Sequence, residues 1–361
     1  MSDILEYMRW RGDLSFAQSP FNEVDNLIAS FLSYVNLDGI VPGEREGSIT
    51  VEEASTAFFS MHSAKELAKD KSFIRRAPEV LKAAAATRRF GGVILRNYVN
   101  EIVEEKEQQF SAVEMVFEDG TSYIAFKGTD DTIVGWKEDF NLSKGVVPSE
   151  IEAGRYLERI AGRSKNKLRL GGHSKGGTLA IYAAVTCSNA VRNRILEVYS
   201  NDGPGFTDVF LNNPNIEKVR PKIRHIVPEN SIIGMLLRQV TDPIVVESCQ
   251  KGILQHDGFS WIVTGPSFVH KPKLNLKAMV LKNALDKWIF SMEEEKRDAV
   301  IRDFFSVLDA TGACTLTELQ NGGLQNLRVM HRAIESLSPE TKGSVEELIK
   351  DLVGHWSEFI G

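Results

Sequence analysis

Between residues 20 and 90, hydrophobic residues recur at the three- and four-residue spacing of an amphipathic helix. The clearest run is Phe21, Val24, Leu27, Ile28 and Phe31. Ser19 and Pro20 predict the start of that helix, and Thr50 followed by Glu53 predicts a capping box at the start of another. We therefore expect the N-terminal part, residues 1–90, to be helical.

From about residue 91 the hydrophobic pattern changes to alternation, and Glu-Asp-Gly at 118–120 predicts a hairpin. Further along, predicted strands alternate with predicted helices. The strands fall at 167–172, within 195–205, at 222–230 and at 243–249, and the helices fall at 149–163, 175–187 and 232–240. This order predicts an α/β fold with a mostly parallel central sheet and helices on both faces.

The chain becomes helical again after about residue 270. We expect one α/β domain over residues 1–270, with residues 1–90 as its helical N-terminal part. Residues 271–361 are expected to form a helical C-terminal extension packed on that domain.

Composition narrows the class of protein. The 361 residues are 42% hydrophobic and 25% charged, with a net charge of −6 and scattered basic residues, so nucleic-acid binding is not expected. Three well-separated cysteines predict buried, reduced thiols. The charged N-terminus and the lack of a long apolar run predict a cytoplasmic protein without stable membrane insertion. The oligomeric state stays open.

The stretch LRLGGHSKGGTLAIYAA at 168–184 places Ser174 between a predicted strand and a predicted helix. Gly172 and Gly176 flank it in a G-x-S-x-G pattern, which is typical of a nucleophile held on a sharp strand-to-helix turn. Small residues at these two positions allow the turn to pack closely. Ser174 is therefore the candidate nucleophile.

The general base is expected downstream of the serine, because folds with this turn run in the order serine, acid, histidine. Of the seven histidines, His256 is favoured because it falls in a loop before an aromatic-rich strand, and His270 is the second choice.

The acid has two main candidates, each after a predicted strand. Glu229 follows the second strand after the serine and is preferred on spacing, whereas Asp202 follows the first strand and would also suit a turn. Asp257, Asn230 in the acid position, and no acid at all stay open as further possibilities.

Backbone donors for an oxyanion are expected at two places. The Lys175 N–H opens the helix after the serine, and Thr129 follows a strand that ends at Gly128. Trp136 and Asp139 follow this loop closely and are candidates to support it.

These motifs together resemble the class 3 lipase-like branch of the α/β-hydrolase superfamily. The resemblance is carried by Phe-Lys-Gly-Thr at 126–129, by Trp136 and Asp139, by Gly-His-Ser-Lys-Gly-Gly at 172–177 and by the Gly/Pro-rich stretch at 201–206. The chain is still more similar, over about residues 3–270, to an uncharacterised bacterial branch of that superfamily, known as a domain of unknown function.

The resemblance implies an α/β-hydrolase fold with Ser174 as nucleophile, His256 as base, and Thr129 and Lys175 as oxyanion donors. Lipases usually carry an apolar residue where Lys175 stands. We therefore expect the charge of Lys175 to disfavour a fatty-acyl substrate.

The expected activity is hydrolysis of a small-molecule acyl ester or thioester through an acyl-enzyme. A peptidase or amidase on the same residues and an inactive hydrolase-fold binding module are the alternatives. No metal or organic cofactor is expected, because serine hydrolysis needs none and no ligand spacing is seen. The apolar segment 231–246 is predicted either to line the acyl pocket or to belong to the core.

Overall fold

The computed structural model describes residues 2–69, 74–103, 105, 108–129, 133–142, 145–275, 279, 293–314, 318–319 and 322–354. Its strands are β1 (Ile49–Thr50), β2 (Ile94–Val103), β3 (Gln108–Val116), β4 (Ser122–Phe126), β5 (Leu168–His173), β6 (Ile195–Asn201), β7 (Ile223–Pro228), β8 (Ile244–Val246), β9 (Val263–Thr264), β10 (Ser267–Phe268) and β11 (His270–Lys271).

Within these ranges, nine strands form one sheet in the order β1-β2-β3-β4-β5-β6-β7-β8-β11. The five strands from β4 to β8 are mutually parallel, and antiparallel strands flank them on both sides. The hairpin predicted around 118–120 is confirmed, since β3 and β4 pair antiparallel across that turn.

The α-helices are α1 (Ile4–Arg11), α2 (Glu23–Leu32), α3 (Val51–Met61), α4 (Ala64–Leu67), α5 (Ala77–Ala85), α6 (Ile133–Asn141), α7 (Pro148–Ala161), α8 (Lys175–Thr186), α9 (Asn189–Arg192), α10 (Asp208–Leu211), α11 (Ile216–Val219), α12 (Glu294–Asp309), α13 (Gly323–Glu335) and α14 (Pro339–Gly354). None of the helices in the described ranges is both long enough and apolar enough to cross a bilayer.

Two helix starts test the capping predictions. The capping box at Thr50 is confirmed, because Thr50 Oγ1 accepts from the Glu53 N–H at 3.1 Å while Glu53 accepts from the Thr50 N–H at 2.8 Å. The first predicted start is wrong by a few residues. Helix α2 begins at Glu23, because the Asn22 side chain supplies the cap and Ser19 and Pro20 lie before it.

Helices cover both faces of the sheet, as predicted. Along β4, Tyr123 and Ala125 face a core shared with α1, α2, α3 and α5, whereas Ile124 and Phe126 face a second core shared with α7 and α8. Because side chains alternate between the faces of a strand, a run that is apolar throughout is buried on both sides.

The helices α12, α13 and α14 bury a separate cluster of apolar residues, to which Ile133 of α6 also contributes. The Ile133 N–H additionally donates to the Cys314 carbonyl at 2.9 Å. The expected division at residue 270 stays a prediction, and 276–278, 280–292 and 355–361, which include His355, lie outside the described residues.

Two local predictions need correction. The helix expected over 232–240 is reduced to one 3₁₀ turn, Ile233–Met235, after which Arg238 bridges to Phe206. Leu237 adopts φ = 60°, which a continuing helix does not allow. Of the three cysteines, which are all free, only Cys187 is buried, so the expectation of buried thiols fails for the other two.

Candidate active site

Ser174 occupies a strained turn between β5 and α8. Its backbone has φ = 56° and ψ = −135°, a conformation that non-glycine residues rarely adopt and that costs about 1–3 kcal/mol. The Ser174 N–H donates to the Asn201 carbonyl at 2.9 Å, which ties the turn to the end of β6. Surrounding contacts therefore hold the serine in this geometry at the end of the parallel strands.

The glycines on either side of Ser174 allow three elements to meet. A methyl group on Gly176 would lie 2.2 Å from the Phe126 carbonyl oxygen, and one on Gly172 would lie 2.4 Å from the same oxygen. Both distances are shorter than any van der Waals contact. The ends of β4 and β5 and the start of α8 can therefore approach each other only with glycine at these positions.

His256 lies in a 3₁₀ turn, Gly252–His256, and pairs with a buried carboxylate. Its Nδ1 is 2.6 Å from Asp202 Oδ2, and Asp202 is fully buried. The other carboxylate oxygen, Oδ1, accepts from the Ser231 hydroxyl at 2.5 Å. An imidazole that donates from Nδ1 to a carboxylate presents the lone pair of Nε2, which is the atom a general base uses.

The carboxylate that pairs with His256 is Asp202 and not Glu229, the candidate preferred on spacing. The register places Asn201 of β6 opposite His173 of β5, so Asp202 lies one strand away from Ser174. Glu229 follows β7, two strands away, and is close enough to Lys271 for its charge to act there. There the pKa of the Lys271 ammonium is raised, first by its hydrogen bond to Glu247 and also by the charge of Glu229.

The remaining alternatives have other partners. Asp257 Oδ1 accepts from the Phe259 N–H at 3.0 Å, and Asn230 donates its N–H to Gln255 Oε1 at 2.8 Å. His270, the second choice for the base, is 2.8 Å from Glu23 Oε1. Asp202 is thus the candidate carboxylate that bonds the His256 ring, and the residue before it, Asn201, accepts from the Ser174 N–H.

No hydrogen bond joins Ser174 Oγ to His256 among the described contacts. In sites without substrate, such bonds are often long and shorten only when the substrate binds. The contact that is already formed is the one between His256 and Asp202.

The structure adds His173 as a functional candidate. Its position beside Ser174 in the sequence gave no indication of this role. Its Nε2 is 2.7 Å from the His256 carbonyl oxygen, which can only accept, so His173 donates from Nε2. Burial, together with the nearby His256, lowers the pKa of His173 to about 3. His173 is therefore neutral at physiological pH and holds the main chain of His256 by a hydrogen bond.

Helix α2 and the residues after it support this group from the other face of the sheet. The Tyr34 hydroxyl is 3.1 Å from His173 Nδ1, and the Phe31 ring stacks on the His173 ring at 5.4 Å between centroids. Asn26 donates to Asn201 Oδ1 at 2.8 Å, directly before Asp202. These contacts fix the two strand ends that carry the candidate residues.

The predicted oxyanion donors flank the serine. A methyl group on Gly128 would lie 3.2 Å from Ser174 Cβ, so the loop that carries the buried Thr129 touches the turn. Lys175 is the first residue of α8, where backbone N–H groups point out of the N-terminal end of the helix. Trp136 and Asp139 lie on α6, but their side chains lie outside the described part of the chain.

The Lys175 side chain does not reach the surface of the site. Its Nζ lies 2.9 Å from Glu138 Oε2 of α6, and the exposed fractions of the two side chains are 1% and 0%. The charge that was expected to disfavour a fatty-acyl substrate is thus neutralised inside the protein. Within the described ranges, no three His, Cys, Asp or Glu side chains gather as metal ligands would.

Comparison with known proteins places this site in context. No curated protein matches the chain. Among solved structures, the Rhizomucor miehei lipase propeptide complex is 14% identical with a TM-score of 0.35 and covers 46% of this chain and 70% of its own. M37 lipase is also 14% identical, with a TM-score of 0.35, and the match covers 86% of this chain and 100% of the lipase chain.

The extracellular lipase LipA from Serratia marcescens is 15% identical, with a TM-score of 0.32, and the match covers 60% of this chain and 40% of the lipase chain. The parallel strands, the helices on both faces and the strand-turn-helix at Ser174 are those of the α/β-hydrolase fold. The Mbeg1-like family model matches residues 84–306, more than half of the 361 residues, and the chain therefore belongs to the Mbeg1-like family.

Proposed function

We propose that this protein is a serine hydrolase that cleaves an acyl ester or thioester through an acyl-enzyme. The observation that carries the proposal is the 2.6 Å contact between His256 Nδ1 and the buried Asp202, next to the strained turn at Ser174. A buried carboxylate on Nδ1 stabilises the imidazolium that forms when Nε2 accepts a proton.

In the proposed reaction, His256 Nε2 takes the proton of the Ser174 hydroxyl while Ser174 Oγ bonds to the acyl carbon. The carbonyl π pair moves onto its oxygen, and the N–H groups of Lys175 and Thr129 stabilise that negative charge. When the oxyanion collapses, the leaving group departs with the proton from His256. Water then repeats these steps on the acyl-enzyme and releases a carboxylic acid.

The burial of Lys175 supports an uncharged acyl group in the substrate. With its ammonium paired to Glu138, this residue offers the substrate its backbone N–H and no free charge. The segment 231–246 supports the site from beside the acid, because Ser231 hydrogen-bonds Asp202 and a methyl group on Gly234 would lie 2.1 Å from Asp202 Oδ1.

Active-site labelling tests the proposal. A fluorophosphonate probe is expected to label the wild-type protein at one site, Ser174→Ala not at all, and His256→Ala at least about a thousandfold more slowly. Ser188→Ala is the matched control and is expected to label like wild type, because Ser188 also precedes a helix but caps α9 away from the site.

Substrate series then define the reaction. We expect hydrolysis of p-nitrophenyl esters and acyl thioesters and little turnover of the matching anilides. Anilide turnover equal to ester turnover would instead identify an amidase. Folded wild-type protein that neither labels nor hydrolyses any of these compounds would contradict the proposal and favour a binding module.

A further inference from the structure

The buried ion pair beside the nucleophile has no step in the proposed reaction. Lys175 directly follows Ser174 in sequence, and its ammonium lies 2.9 Å from the Glu138 carboxylate. Both side chains are almost completely buried, and burying two charges is unfavourable unless each is well compensated. A buried ion pair next to a candidate nucleophile therefore needs a physical explanation.

Glu138 joins several elements through its two oxygens. Oε2 accepts from Lys175 Nζ and, at 3.1 Å, from the Gln109 N–H near the start of β3. Oε1 accepts from the Ser149 N–H at 2.8 Å, in the first turn of α7. The carboxylate therefore connects the start of α8 to β3, to α7 and to its own helix, α6.

A second carboxyl group lies near the same ammonium. Burial raises the pKa of Glu150 to about 8, the charge of Glu138 raises it further, and the charge of Lys175 opposes the rise. At neutral pH Glu150 holds its proton. The Lys175 ammonium then has the Glu138 carboxylate as its ion-pair partner at 2.9 Å.

The pair connects the two segments that carry the proposed oxyanion donors. Lys175 provides one donor from its own backbone, and Glu138 accepts from the Gln109 N–H of β3, the strand that pairs with β4 just before the loop at Thr129. The ion pair therefore ties the start of α8 to the strand pair that carries this loop. Stabilisation of an oxyanion depends on donors placed within a few tenths of an ångström of their required positions.

We propose that Lys175 and Glu138 are positioning residues whose buried ion pair keeps the two oxyanion donors in their required positions relative to each other. This inference rests on the proposed function. Neither side chain touches the substrate in the proposed arrangement. Their contribution is to acylation, and it is separate from the contribution that the pair makes to folding.

The test uses the double variant Lys175→Met/Glu138→Gln. This variant removes both charges of the ion pair, and the amide oxygen introduced at position 138 can still accept a backbone N–H, so the protein is expected to fold. We expect kcat for a p-nitrophenyl ester to fall roughly tenfold to a hundredfold with KM changed less than about threefold, and fluorophosphonate labelling to slow by the same factor. The conservative variant Lys175→Arg keeps the charge and is expected to recover part of the loss.

Arg96 and Glu114 supply the control, because their ion pair contains a carboxylate that is 1% exposed and lies outside the proposed site and outside α2. The variant Arg96→Met/Glu114→Gln is expected to lower the melting temperature and to leave kcat per folded molecule within about twofold.

The outcomes separate the two proposals. A folded Lys175→Met/Glu138→Gln protein with wild-type kcat and labelling rate would overturn the positioning role and leave the hydrolase proposal standing. Equal kcat losses in this variant and in the control would also overturn it, because the loss would then follow from stability alone. A wild-type protein without labelling or turnover would overturn both proposals.

Discussion

The ends of β6 and β7 look alike in sequence and differ in the folded protein. Each strand ends in a turn with a carboxylate, Asp202 after β6 and Glu229 after β7. Asp202 is fully buried and pairs with His256 and Ser231, whereas Glu229 is partly exposed and is close enough to Lys271 for its charge to act there. The comparison shows that adjacency to β5, and not spacing along the chain, decides which carboxylate contacts His256.

Replacing Asp202 is the largest test of this difference. Asp202→Asn keeps the size of the side chain but removes the charge that orients and stabilises a protonated His256. We expect kcat for ester hydrolysis to fall by a factor on the order of 10⁴, with the protein still folded. Steady-state kinetics and far-UV circular dichroism check this, and a loss below about tenfold would mean that Asp202 is not the acid.

The pH dependence of the free energy of unfolding tests His173, the residue that bonds the His256 carbonyl. His173 has a folded pKa of about 3 against an ordinary value of 6.5, so the unfolded chain takes up the proton first. Stability from this residue is complete above pH 6.5 and is lost as the pH falls towards 3. The loss amounts to about 1.4 kcal/mol per pH unit, or about 3 kcal/mol at about pH 4.

The variant His173→Gln keeps a donor for the His256 carbonyl but does not titrate. Urea denaturation at about pH 7, 5 and 4 should therefore show a free energy of unfolding that falls less steeply for the variant than for wild type. Parallel pH profiles for the two proteins would contradict a buried, neutral His173.

A smaller effect is expected at Ser231, which donates to the second oxygen of Asp202. Ser231→Ala removes one hydrogen bond from a buried carboxylate and leaves the His256 contact in place. We expect a decrease of roughly tenfold in kcat, since a hydrogen bond to a charged group contributes about 1.5–3 kcal/mol. An unchanged kcat would show that the Asp202 carboxylate does not need this donor.

The smallest effect on activity is expected for Glu229, the second carboxylate of the comparison. Glu229→Gln should leave kcat and KM within about twofold, because the side chain is partly exposed and lies outside the candidate site. If this variant instead lost activity to the same degree as Asp202→Asn, the assignment of the acid would have to be reversed.

The sequence predicted much of the fold because its patterns are local. The alternation in β3 and β4, the capping box at Thr50 and the glycines around Ser174 each act over a few residues. The Asp202 position could not be chosen in the same way. It depends on the pairing of β5 with β6, which joins residues 28 apart in the Arg169–Glu197 register.

The side-chain contacts of the site were also out of reach. His173 adjoins the serine in sequence, which gives no reason to connect it with the base, yet it bonds the carbonyl of His256, 83 residues away. Lys175 gave no sign in sequence of its partner on α6, since a buried lysine and an exposed one look the same in a list of residues. A charged residue at an apolar position of the motif was the one available signal.

Contacts from α2 and the residues after it determine the shortest fragment of the protein that could be studied alone. Asn26, Phe31 and Tyr34 touch Asn201 and His173, but all three lie before residue 84, where the family match begins. An expression fragment cut at the ends of that match would keep every proposed reacting group and lose the side chains behind them. The boundaries of sequence similarity are therefore narrower than those of the working unit, and a shortened version of the protein should retain the helices that precede the match.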